Sequence, residues 1–394
     1  MLTTKDFRTK TEFIKKKNPK LPGKWHVALD IGYSSVKTFS PNSISIFPSY
    51  ARKVSSGFSF ITTPPDGAIL YRDDATSQTW IVGEVAQNMI EAGDTNDSEN
   101  ILYSRDRYYD EMFLVIARCG MGLGLTSNEY GKPDNDEIFL QTGLPEMYLD
   151  DETFLKEALS GDHKFSLKVG AGPWTNYEVK LPESHIFVMS QPRGTLYSVC
   201  VNDDGKPTAD ANELLNQDMI VFDGGFGTLD LFYMRIGVHD DGKKSNGETY
   251  SDLGMKRVLQ VASQKIYEQF KVSIPVPSMQ RYLEEGTVRY FDKRKLEAKD
   301  YSIDEVIEKA SDEVCSEAIA RLVAGVDFGN FRAMIITGGT GEAWFYQMNE
   351  RLKAAGVNII PGNRNDGLPF VYSNVRGYFY YRYNKLASEA KSKK

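Results

Sequence analysis

Two short stretches, one in each half of this 394-residue chain, repeat an acid, small residues and a hydroxyl in the same order. Ala28-Leu29-Asp30-Ile31-Gly32-Tyr33-Ser34-Ser35-Val36 aligns with Val221-Phe222-Asp223-Gly224-Gly225-Phe226-Gly227-Thr228-Leu229. Both run apolar-apolar-Asp-x-Gly-x-x-Ser/Thr-apolar between two strand-like runs. Small residues let successive backbone N–H groups turn toward one point and cradle a phosphate. The Ser or Thr adds a hydroxyl donor. An Asp at a strand end can hold the water shell of Mg2+, which keeps several waters and takes few carboxylates. Asp-x-Gly is common in turns, so either copy alone is an ordinary hairpin. Repetition over nine positions, one copy per half, points instead to two loops that clamp one polyphosphate.

A third device follows in order. Met334-Ile335-Ile336-Thr337-Gly338-Gly339-Thr340-Gly341-Glu342 is a buried strand that opens into a glycine turn and then a helix. Such a turn lets a flat nucleoside approach the backbone, with helix N–H groups available to an anion. Other nucleotide fingerprints are missing: the chain contains neither G-x-x-x-x-G-K-[ST] nor G-x-G-x-x-G. It lacks the G-x-S-x-G elbow of a serine hydrolase, and His26, His163, His185 and His239 show no metal-ligand spacing.

Composition narrows the class further. Hydrophobic residues at 41% and charged residues at 26% fit an ordinary globular chain long enough for two domains. A net charge of −7 gives no global basic field for nucleic acid or an anionic membrane. Cys119, Cys200 and Cys315 are too scattered for a disulfide framework, which fits a reducing cytoplasm. No apolar run approaches the roughly 20 residues that span a bilayer, and the charged N-terminus lacks the apolar core of a secretory signal.

The elements that position these devices can be placed from pattern. Residues 1–24 are rich in lysine and end at Pro22-Gly23; we expect a mobile basic extension, with a filament or partner contact as the sharper alternative. Buried strands are expected at 25–30, 138–142, 186–189, 219–223 and 332–336, and return strands follow each acidic turn. Residues 48–100 are polar and are assigned to a small inserted subdomain. Tyr108 to Cys119 is expected to be helical. Met255, Val258, Leu259, Ala262, Ile266 and Phe270 form a helical stripe. A helix over about 303–324 begins with the capping-box pair Ser302 and Glu305 and stops at Gly325. Strands alternating with helices indicate an α/β fold, and the strand–turn–strand units demand mixed rather than purely parallel sheets.

These three segments, in this order, resemble the phosphate-one, phosphate-two and adenosine motifs of the actin, sugar-kinase and heat-shock chaperone superfamily. Gln141-Thr142-Gly143-Leu144-Pro145, Val188-Met189-Ser190-Gln191-Pro192 and Asn374-Val375-Arg376-Gly377-Tyr378 are similar to segments of ParM-like bacterial actins. The resemblance implies an actin-like ATPase fold: two related domains, each a mixed β-sheet flanked by helices, with nucleotide in the cleft between them. Its domains would be 25–195, with the insert at 48–100, and 196–385, with a helical insert at about 251–329. A frayed tail at 386–394 would complete the chain.

The same resemblance implies roles. Gln191 falls where a Gln or Glu orients the attacking water; Glu is commoner in ParM-like proteins and Gln in eukaryotic actins. Asp223 and Asp30 would hold the shell of Mg2+ through water and complete the catalytic set. Gly32, Ser34, Ser35, Lys37, Gly224, Gly225, Gly227 and Thr228 would line the phosphates, although Lys37 can equally point to solvent. Gly338, Gly339 and Thr340 would take the nucleoside. Lys256 and Arg257 can approach ribose or base, or one of them can belong to a solvated helix face. The implied activity is ATP (or GTP) hydrolysis coupled to self-assembly into filaments. In that family filaments drive plasmid DNA segregation through a DNA-binding adaptor, without direct nucleic-acid or membrane contact. The alternative on the same fold is a sugar-kinase-like phosphotransferase, which needs a carboxylate base that the sequence does not mark.

Overall fold

Uninterrupted apolar runs, which suit strands covered on both faces, become the centres of two mixed sheets. The computed structural model describes residues 4–90, 105–235 and 247–392. In the first half, the strands are β1 Glu12–Lys15, β2 Lys24–Ile31, β3 Ser35–Phe39, β4 Ser43–Pro48, β5 Ala51–Val54, β6 Ile69–Asp73, β7 Thr79–Val82, β8 Glu137–Leu144, β9 Gly161–Val169, β10 Thr175–Leu181 and β11 Ile186–Ser190. Its helices are α1 Glu84–Asn88, α2 Glu111–Gly124, α3 Glu152–Leu159 and α4 Gln191–Cys200. Among the described residues, six strands form a sheet in the order β1-β4-β3-β2-β8-β11. The β2–β3 and β3–β4 pairs are antiparallel, whereas β2–β8 and β8–β11 are parallel.

The second half contains α5 Ala211–Leu215, β12 Met219–Gly224, β13 Leu229–Met234, β14 Gly247–Tyr250, α6 Met255–Phe270 and α7 Met279–Glu285. There follow β15 Thr287–Asp292, β16 Glu297–Ser302, α8 Asp304–Gly325, β17 Ala333–Thr337, α9 Gly339–Leu352, β18 Asn358–Pro361 and α10 Ser373–Ser392. Its sheet runs β14-β13-β12-β17-β18, again antiparallel at the acidic turn and parallel beyond it. Each half has its own apolar core.

Four expectations give way to the structure. The lysine-rich start is not a mobile extension: β1 pairs with β4, Lys16 and Lys20 form ion pairs with Asp203 and Asp136, and Asn18 is buried with its amide on the Ser40 carbonyl. Lys15 lies on the exposed side of β1, whereas Lys16 and Lys20 are held against the fold by their ion pairs. The C-terminal residues are helical through Ser392, as the last turns of α10, with Leu386 buried. The insert is not confined to 48–100: β5, β6 and β7 join β9 and β10, from 161–181, in a sheet ordered β10-β9-β6-β7-β5. Residues 91–100 of that stretch lie outside the described residues. Within 251–329 the β15–β16 hairpin interrupts an otherwise helical segment.

The start of α8 also departs from its expected cap. Ile303 is the capping residue, while the Ser302 hydroxyl interacts with Asp304. Gly325 is the last helical residue and the chain leaves through extended Val326. The halves are joined by two crossing helices. α10 lies on β2, β3 and β8, whereas α4 leans on β12 and β13. At their crossing a Cβ on Gly377 would sit 1.7 Å from the Gly194 carbonyl oxygen, so only glycine permits the approach.

Candidate functional site

The two acidic turns open toward the same space. Asp30 ends the apolar run of β2 and Asp223 that of β12, and each is buried. A cleft of about 330 Å³ lies between them, within the range of roughly 300–1,000 Å³ that holds cofactor-sized ligands. Asp30, Gly32, Ser34, Ser35 and Lys37 line it from the first turn, and Asp223, Gly225 and Thr228 from the second. Gly338, Gly339 and Thr340 close it from the start of α9, and Gln191 enters from the start of α4.

Register explains the charge arrangement. Asp30 lies directly across the β2–β3 ladder from Lys37, and their side chains form an ion pair at 3.2 Å. The alternative of a solvent-facing Lys37 is thereby excluded, since the residue is only 8% exposed. Gln191 Nε2 donates to the other carboxylate oxygen of Asp30 at 3.1 Å. Across the cleft, Asp223 accepts from Asn374 Nδ2 at 2.6 Å. The Thr195 hydroxyl donates to Asn374 Oδ1 at 2.6 Å, which fixes the orientation of that amide.

Burial pushes the Asp223 carboxyl up to about 6, and the Asp30 charge adds to this, against the Asn374 bond and Lys37. Asp230 lies across the β12–β13 ladder from Asp223 and also lines the cleft. Burial pushes it up to about 7, with the Asp223 charge adding, even though Thr249 and Thr228 donate hydroxyls to it. A buried carboxyl without a cation facing it resists ionisation.

The third device is built on backbone proximity. Gly338 has φ of 78°, and a Cβ there would meet Asp223 Oδ1 at 2.6 Å, so the α9 start can approach β12 only through glycine. Thr340 Oγ1 donates to the Gly225 carbonyl at 2.6 Å and ties this turn to the second acidic turn.

Three expected residues are placed elsewhere. Gly224 lies within β12 against Gly341, and Gly227 lies against Tyr33 of the opposite turn. Lys256 does not line the cleft; its neighbour Met255 does, because the helix stripe turns the apolar side chain inward. Residues not foreseen also line it. Arg107 donates to the Ile31 carbonyl at 3.0 Å and stacks on Tyr33. Nothing local in its sequence marked it. Asp230 had a signal: extending the alignment of the two turns past Leu229 places it opposite Lys37.

The donor set fits a hydrated divalent cation. Among the described residues no group of three or more His, Cys, Asp or Glu is arranged to hold a metal ion directly. Asp30 and Asp223, buried carboxylates facing one cleft, match an ion that keeps its waters and takes few carboxylates.

Paired acidic turns on two mixed sheets, with a glycine turn closing the cleft, have the arrangement of the actin-like fold. Residues 28–194 match the family model described as the N-terminal domain of actin-like proteins. None of the curated proteins searched matches the sequence. Among solved structures, a non-polymerisable quadruple mutant of pCBH ParM is 20% identical, with a TM-score of 0.68 over 92% of this chain and 99% of that one. A ParM from a 15-stranded filament of Clostridium botulinum is 19% identical, with a TM-score of 0.66 over 91% and 99%. An archaeal actin homologue, Ta0583, in complex with ADP is 15% identical, with a TM-score of 0.58 over 92% and 99%. The chain has the actin-like fold over nearly its whole length, and the expected likeness to ParM-like bacterial actins holds. Among the described residues no helix is long and apolar enough to cross a membrane.

Proposed function

We propose that this chain is a nucleotide-dependent, filament-forming ATPase that moves or positions plasmid DNA through an adaptor protein. The observation that carries the reading is the meeting of Asp30 and Asp223, from matching turns of the two halves, in one cleft with Ser34, Ser35 and Thr228. The triphosphate of ATP, or of GTP, lies between the turns, and their backbone N–H groups and hydroxyls receive its oxygens. Lys37 and Arg107 line the cleft as well. Asp30 and Asp223 would hold Mg2+ through its water shell, and the ion would supply charge neutralisation to the phosphates.

Gln191 then acts as the positioning group. Its Nε2 is occupied by Asp30, which leaves the carboxamide oxygen to accept from a water and aim it. Orientation of water and stabilisation of charge dominate phosphoryl transfer, so an amide suffices where no strong base is present. Closure of the halves on nucleotide selects the assembling conformation, and hydrolysis releases it. The filament formed by the ParM neighbour and the ADP complex of the archaeal homologue support assembly and nucleotide binding here.

Light scattering and pelleting in ATP, GTP, ADP and no nucleotide test the proposal. The expected result is sedimentation that requires a nucleoside triphosphate and is lost in Asp223→Ala. A chain that stays in the supernatant throughout and phosphorylates an added sugar overturns it.

A further inference from the structure

The lysine-rich start of the chain crosses the mouth of the cleft and is fastened to both halves. On the first half, β1 pairs with β4, and the Thr11 backbone N–H donates to Glu84. On the second half, Phe7 is buried in that half's apolar core, and the Thr9 N–H donates to Gln280 at 2.9 Å. Arg8 sits between them and forms ion pairs with Glu84 of α1 and Glu284 of α7. Phe7, Arg8, Thr9 and Lys10 line the cleft together with Glu342 and Tyr372. The Tyr372 hydroxyl reaches Glu12 at 3.4 Å.

We infer that Thr4–Lys15 is a strap over the nucleoside end of the cleft, and that it must lift from the second half before nucleotide can enter or leave. The inference rests on the nucleotide reading above. Its two ends are unequal. The first-half end is a strand ladder, whereas the second-half end is one short turn held by side chains, so that end opens first. A cover of this kind multiplies entry and exit by the same open fraction, so it slows exchange with little change in affinity. A segment that merely touched the bound nucleotide would alter exit alone.

The test is stopped-flow association and chase-out of a fluorescent ADP analogue on three proteins: the full chain, Arg8→Ala, and the chain lacking residues 1–11. Association and dissociation rate constants are expected to rise together, about tenfold for the truncation and a few-fold for Arg8→Ala, with Kd moving less than about threefold. If the truncated chain does not fold, Arg8→Ala carries the same comparison. Unchanged rates, or a rise in dissociation alone, overturn the strap while leaving the nucleotide site intact. A full-length chain that binds no analogue overturns the nucleotide reading and the strap with it.

Discussion

The first acidic turn faces its aspartate with Lys37, and the second faces its aspartate with Asp230, at the equivalent place on the return strand. The backbone device is the same in both halves, but its electrostatics are opposite. In the first turn a buried acid and a buried base neutralise each other, with Gln191 bonded to the same carboxylate. In the second, two buried carboxyls share one ladder rung, helped by hydroxyls and one amide, and both are pushed upward by burial. The lesson is that repetition of the turn sets shape, while one residue across the ladder decides which side tolerates added positive charge. The second turn is the cation-poor side of the cleft.

Breaking the neutral turn should cost most. Lys37→Met leaves Asp30 buried beside an apolar chain and is expected to lower stability by about 3–5 kcal/mol; urea unfolding at pH 7 without nucleotide measures this. A loss under about 1 kcal/mol would show that Asp30 draws its support from Gln191 alone.

Gln191→Ala separates chemistry from binding on the same turn. Phosphate release should fall about 10- to 100-fold, while calorimetric nucleotide affinity stays within about threefold. Parallel losses of both would assign Gln191 to holding the ligand.

The smallest effect concerns the second turn and depends on pH. Asp230 is pushed up to about 7 in the folded chain, so between about pH 4 and 7 the folded state binds more protons than the unfolded one. Stability is then full at low pH and lost as pH rises through that window. Asp230→Asn removes the loss and should stabilise the nucleotide-free protein by on the order of 2 kcal/mol at pH 8, and by almost nothing at pH 4. Paired thermal melts at the two pH values decide it.

Much of this site was legible in the sequence because its parts are local. An apolar run ending in Asp, followed by small residues and a hydroxyl, encodes both a buried strand and the turn that it feeds. The strand at Met219–Gly224 and the helix at Met255–Phe270 were visible for the same reason: period and burial agree there. What stayed hidden depends on distant partners. Arg107 reaches the cleft through tertiary packing on Tyr33. Asn374 was visible in a motif, but its bond to Asp223 joins residues from opposite ends of the second half. Lysines at 15–17, 20 and 24 looked like a solvated tail, although the alternating burial of Glu12–Lys15 is that of a half-covered strand.

The glycine contact between α4 and α10 reaches beyond local fit. Gln191 begins one of these helices and Asn374 lies in the first turn of the other, so each acidic turn is touched by a helix that passes through the same fulcrum. The Gly377 backbone meets the Gly194 carbonyl there, and the Tyr378 ring packs on Gly194 from the same helix. A single added methyl at Gly194 or Gly377 would force α4 and α10 apart and draw Gln191 and Asn374 away from the two carboxylates they bond.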